Sequence, residues 1–165
     1  MTTKEILIEQ FTVCFDENGW FVALKNALRN LTAEQAAWKP ENLDNSIWGM
    51  LAHLNFYNER YLRRFNGEAL PPSTFENSET FGGSDESSGT AWRAEVENFD
   101  RIMSEWREAI QTAGEDKLAQ AVSAENKSPW WEVISNINVH NAHHGGQIVV
   151  LRKLQGSWDA SKGVS

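Results

Sequence analysis

Apolar residues recur at spacings of three and four along most of this chain, and four long stretches of that pattern predict four helices. The first is expected from Thr3 to Leu31. Thr2 and Glu5 fit a capping box at its start, and its stripe runs from Leu7, Phe11 and Cys14 through Phe21, Leu24 and Leu28. Gly19 interrupts it and predicts a kink. The second helix starts near Asn45 or Ser46 and stops at Asn66-Gly67. The third spans about Thr90 to Thr112, with Trp92, Phe99, Ile102, Met103 and Trp106 on one side. The fourth runs from Trp130 to Leu154 and ends near Gly156, after a Ser128 cap and Pro129 at the first helical position.

The connections carry their own signals. Thr32 and Gln35 form a second capping box, which predicts a helical turn through Ala37, and Pro40 disfavours its continuation. Residues 67–89 are polar and rich in Pro, Gly and Ser. Such a long connection reads either as a lid or as an excursion from the bundle, with Phe75 and Phe81 available to pin it. No segment alternates with period two for long enough to predict a strand. The expected architecture is an all-α, four-helix bundle. Residues 1–160 form its single domain and 161–165 a frayed tail.

Composition narrows the function. At 165 residues the chain can bury roughly 70% of its unfolded surface without disulfides or structural metals. A net charge of −8 argues against nucleic acid as a partner. Arg60, Arg63 and Arg64 form the tightest basic group, and they fall where cations offset a helix C-terminus. The single cysteine, Cys14, lies on the apolar stripe beside Asp16 and Glu17, a setting for packing rather than for a reactive thiol. No stretch reaches the 18 apolar residues of a membrane span, and no signal sequence is visible, so a cytoplasmic location without membrane partners is expected.

The chemistry is concentrated in the histidines, of which there are four. His140 and His144 are separated by about 40° around a helix axis and project from one face. His53 lies in mid-helix and can meet them if its helix packs alongside. Burying imidazoles without partners is costly, and a divalent ion satisfies them. His143 competes with His144, because an i, i+3 pair with His140 is also possible. Asn141 and Gln147 flank the site and can orient its ligands. Gly49, Gly145 and Gly146 leave space that means either room for a substrate or close helix packing. Glu59 and Tyr57 lie near His53 in sequence and are the weak candidates for a general base. No Gly-x-Ser-x-Gly, Cys-x-x-Cys, zincin or phosphate-loop pattern is present.

Two passages carry a family resemblance. One is Leu31-Thr32-Ala33-Glu34 through Trp38-Lys39-Pro40, followed by Ser46-Ile47 and His53. The other is His140-Asn141-Ala142-His143-His144-Gly145-Gly146-Gln147-Ile148. Together they resemble the DinB/YfiT-like superfamily, which includes metalloenzymes. The resemblance implies a DinB-like four-helix bundle that binds one divalent transition metal, zinc or nickel, through His53, His140 and His144. It thereby favours His144 over His143. It also implies a small-molecule substrate, possible use of a low-molecular-weight thiol by a transferase, and homodimers. Gly145 stands where the family commonly has arginine. Three imidazoles leave a position open on the ion, as in catalytic sites. The expected function is a metal-dependent thiol S-transferase or hydrolase acting on small electrophiles. The alternative is a non-enzymatic small-molecule or metal-binding bundle.

Overall fold

The computed structural model describes residues 1–82 and 88–162. Among these residues there are seven α-helices and no strand. Four are long: α1 (Thr3–Phe15), α4 (Ile47–Phe65), α5 (Gly89–Thr112) and α7 (Trp130–Leu154). Three are single turns: α2 (Leu24–Leu28), α3 (Ala33–Ala37) and α6 (Glu115–Ala119). The long helices pack as a ring in which α1 touches α5 and α7, and α4 touches the same two. The connections from α1 to α4 and from α5 to α7 therefore cross the ends of the bundle, and α2, α3 and α6 lie on them.

Local chemistry sets the ends. Glu5 N–H donates to Thr2 Oγ1 (3.2 Å) and Thr2 N–H to the Glu5 carboxylate (2.7 Å), which completes the box that starts α1. The Thr32–Gln35 box starts α3 in the same way. Ser46 Oγ accepts from Gly49 N–H at the head of α4. At its foot Gly67 adopts φ 92°, Glu68 N–H reaches Arg63 O and Gly67 N–H reaches Arg64 O. This double closure needs the left-handed conformation that glycine tolerates. Gly156 closes α7 with the same pair of bonds. Pro129 sits one position earlier than expected, at the cap itself: Ser128 O is taken by Val122 N–H (3.0 Å), and the first helical bond goes from Val133 N–H to Pro129 O (3.3 Å).

The expected first helix is broken. α1 stops at Phe15, and the chain turns through residues 16–23 before α2 begins. Asn18 Oδ1 accepts from Ala23 N–H (3.0 Å) and from the Asn26 side chain (2.9 Å). A side chain that satisfies backbone groups locally competes with helix continuation. The apolar stripe survives the break because Leu24, Ala27 and Leu28 of α2 pack inward as well.

One core runs the length of the bundle, with Phe11, Phe15, Phe99, Trp106 and Trp130 fully buried. Two of the buried indole N–H groups reach across the bundle: Trp106 donates to Asn58 O (2.8 Å) and Trp92 to Leu31 O (3.0 Å). Cys14 is buried and donates to Asn138 O (3.2 Å), and burial pushes its thiol up to about 11. Arg152 is buried and donates to Ala27 O, Arg29 O and Ser157 O. It thereby satisfies carbonyls that end α2.

The connection after α4 is partly built onto the bundle. Residues 77–81 form a 3-10 turn (Asn77–Phe81) packed on α4. Residues 83–87, which belong to the expected lid or excursion, lie outside the described residues. At the C-terminus Ala160–Lys162 form another 3-10 turn, and residues 163–165 of the expected frayed tail are also outside. Among the described residues no helix is long and apolar enough to cross a membrane.

Candidate metal centre

The packing of α4 on α7 brings His53 against His140 and His144. Nε2 of His53 lies 3.0 Å from Nε2 of His140, and Nε2 of His144 lies 3.1 Å from the same atom. One nitrogen from each ring falls within 4.8 Å of the others. His53 and His144 are buried, and His140 is half-buried.

The outer nitrogens are held by polar partners that fix the tautomers. Thr80 donates its hydroxyl hydrogen to Asn77 O (2.6 Å), so its oxygen accepts from His53 Nδ1–H (2.7 Å). His144 Nδ1–H donates to Gln147 Oε1 (2.7 Å), which has no hydrogen to offer. In both rings the remaining lone pair is then on Nε2 and faces His140. His140 Nε2 can donate one hydrogen at most, so three nitrogens converge with too few hydrogens to bond to one another.

That arrangement suits a cation. Two ligand nitrogens on a tetrahedral zinc ion lie about 3.3 Å apart, given bonds of 2.0–2.1 Å. Burial, reinforced by repulsion between the charged forms of neighbouring rings, pushes His53 and His140 down to about 4. Burial also lowers His144, against the opposing bond to Gln147. The rings are therefore neutral at physiological pH, the state in which imidazole binds metals. The cluster can hold a metal ion.

The Asn77–Phe81 turn forms one wall. The Phe81 ring stacks on His53 with centroids 4.0 Å apart and an interplanar angle of 14°. Gly49 allows this approach, because a Cβ there would lie 2.7 Å from Phe81 O. The glycine thus serves close packing, whereas a Cβ at Gly145 would make only ordinary van der Waals contact with Leu24 of α2 (3.5 Å). Nothing within 4 Å would meet a Cβ at Gly146. Phe75 packs edge-on against Phe56 but stays exposed, so Phe81 is the deeper of the two expected pins.

Several candidates separate at this point. His143 is exposed and outside the cluster. Gln147 orients His144 as expected, but Asn141 does not face the histidines. Its amide is buried against Asn58, with which it exchanges two hydrogen bonds (2.9 and 3.1 Å). Glu59 is paired with Arg101 (2.7 Å) on the exposed side of α4. Tyr57 does reach the site: its ring meets His53 edge-on at 4.9 Å, and its hydroxyl donates to Asn77 Oδ1 (3.2 Å). Thr80 carries no sequence signal. It sits 27 positions from His53 in a connection without periodicity.

A cleft of about 350 Å³ opens beside His140, lined by Tyr57, Tyr61, Asn77, Asn126 and Asn136 among others. Of the three clustered histidines, His140 lines it.

No curated protein and no solved structure matches the chain. A family model described as the DinB superfamily does match, over residues 22–148. That span contains all three clustered histidines and the turn that carries Thr80, and the chain belongs to the DinB superfamily.

Proposed function

We propose that this protein is a metal-dependent enzyme in which His53, His140 and His144 hold one divalent ion, and that it transfers a thiol to, or hydrolyses, small electrophiles. The observation that carries the reading is the convergence of three Nε2 atoms, two of them in rings whose tautomers are fixed by Thr80 and Gln147. Three protein donors match catalytic sites, whereas structural zinc sites use four. When bound, such an ion acts as a Lewis acid and lowers the pKa of a water or thiol brought to it.

The chain's own residues do the rest. Thr80 and Gln147 hold two rings in the orientation and protonation state that ligands need. Phe81 shields the face of His53 from water. Tyr57 and Asn77 present a hydroxyl and an amide at the mouth of the cleft. Cys14 is buried and strongly protonated, which leaves the nucleophile to come from outside the chain. The uncharged cleft also supports a second reading, a binding protein that uses the same ion and cleft without turnover.

The test begins with metal content, expected to be close to one divalent ion per chain. A cobalt-substituted sample is then titrated with low-molecular-weight thiols, and each thiol is assayed with electrophilic acceptors. Sulfur-to-metal absorption together with turnover supports the transferase. Turnover without thiol supports the hydrolase. Metal uptake with neither supports the binding reading, and no uptake of metal removes all three.

A further inference from the structure

The cleft beside His140 has a chemical character of its own. Among the described residues its lining contains no carboxylate, ammonium or guanidinium group. Apart from the His140 imidazole, the polar atoms it offers are amides and hydroxyls. Asn77 Oδ1 is taken by the Tyr57 hydroxyl, and Asn126 Oδ1 by Ser128 N–H (3.0 Å), so both side chains keep their NH₂ groups for something else. Tyr61 and Asn136 have no bond to protein among the described residues. Val133 and Ile137 supply an apolar wall. The nearby Glu132 is occupied by the Ser128 hydroxyl (3.1 Å).

We propose that this cleft binds a small molecule whose body is uncharged and carries amide or hydroxyl oxygens, with its reactive atom directed at His140. Free NH₂ and OH donors select acceptor oxygens. A carboxylate body would surrender its hydration to a site with no cation among the lining residues, in a protein whose net charge is −8. An ammonium body would meet no carboxylate there. Apolar walls with a few placed polar groups are the usual make-up of ligand pockets, and about 350 Å³ is near their lower size limit. The direction of the reactive atom rests on the reading of the histidines as metal ligands; the neutrality of the body rests on the lining alone.

The test uses two thiols of nearly equal shape, neutral N-acetylcysteine amide and anionic N-acetylcysteine. Each is titrated into metal-free and zinc-loaded protein, and the side-chain amide signals of Asn77, Asn126 and Asn136 are followed by NMR. In the metal-free protein the neutral probe should bind about tenfold more tightly than the anion. Asn136→Lys, at an exposed position, should reverse that preference. Equal or tighter binding of the anion by the parent protein overturns the proposal, as does failure of both probes to move these signals. Zinc content is measured on the same samples. A lack of zinc uptake would remove the metal reading while leaving the metal-free titration to decide the cleft.

Discussion

The same two helices, α4 and α7, are joined by two polar layers: the Asn58–Asn141 pair and the group formed by His53, His140 and His144. In the first layer each amide brings a donor and an acceptor, and the two exchange bonds of 2.9 and 3.1 Å. Asn58 also donates to Leu54 O (2.7 Å). The amide pair is complete within the protein. In the second layer the ring hydrogens are spent outward on Thr80 and Gln147, and the inward nitrogens face one another. Buried polar groups are stabilising when satisfied and costly when not. One layer therefore fastens the helices, and the other leaves nitrogens that can hold a metal ion.

The sharpest break in that contrast is removal of a ligand. His53→Ala, His140→Ala and His144→Ala should each lower zinc affinity by more than about 100-fold, since loss of a ligand exceeds the 10–100-fold typical of a supporting partner. His143→Ala should leave it near the parent value. Competition with a chromophoric chelator measures this, and full occupancy in His144→Ala with loss in His143→Ala would reverse the assignment.

Thr80→Val should cost about 10–100-fold in zinc affinity by freeing the His53 tautomer, and Thr80→Ser should restore most of it. A structural role alone would not distinguish the hydroxyl-bearing variant in this way. The corresponding change in the other layer should spare the metal. Asn141→Ala leaves Asn58 Oδ1 without its partner and should cost about 1–3 kcal/mol in urea unfolding. Asn58→Leu combined with Asn141→Leu should cost less than Asn141→Ala, because no orphaned group remains.

The last effect expected is one of pH. His53 and His140 titrate at about 4 in the folded chain against 6.5 for the free side chain. As pH falls below 6.5 the unfolded chain takes up protons that the folded chain refuses, so folding stability declines until about pH 4. Urea midpoints of metal-free protein should fall across that window, and fall less in His53→Ala. The amide layer does not titrate, so Asn141→Ala should keep the parent slope.

Much of this was legible in the sequence, for a physical reason. A helix repeats its faces, so Leu51, Leu54 and Leu62, or His140 and His144, can be placed on a common side by counting. The capping boxes at Thr2 and Thr32 and the glycine stops at Gly67 and Gly156 are equally local. The break after Phe15 was hidden because apolar residues at spacings of three and four resume through Phe21, Leu24 and Leu28, and α6 because a five-residue helix shows too little of the period. Thr80 could not be found by counting at all, and Asn141 was placed on the wrong side of α7. Which buried amide meets which depends on how two helices are rotated against each other, and neither helix records that alone.

The crossed connections have a consequence for how the protein comes into being. His53 and His140 are 87 positions apart, and they become neighbours only after the chain has run through α5 and crossed one end of the bundle through α6. Closing so long a loop carries an entropic cost that the helical turns do not. His140 and His144 can meet an ion on an isolated helix, but the third ligand exists only in the native topology. On the proposed function, metal capture at full strength is then a late event in folding, and a slow one if that crossing is slow. In a cell the ion would distinguish finished chains from unfinished ones, acting as an inspector of assembly before it serves any substrate.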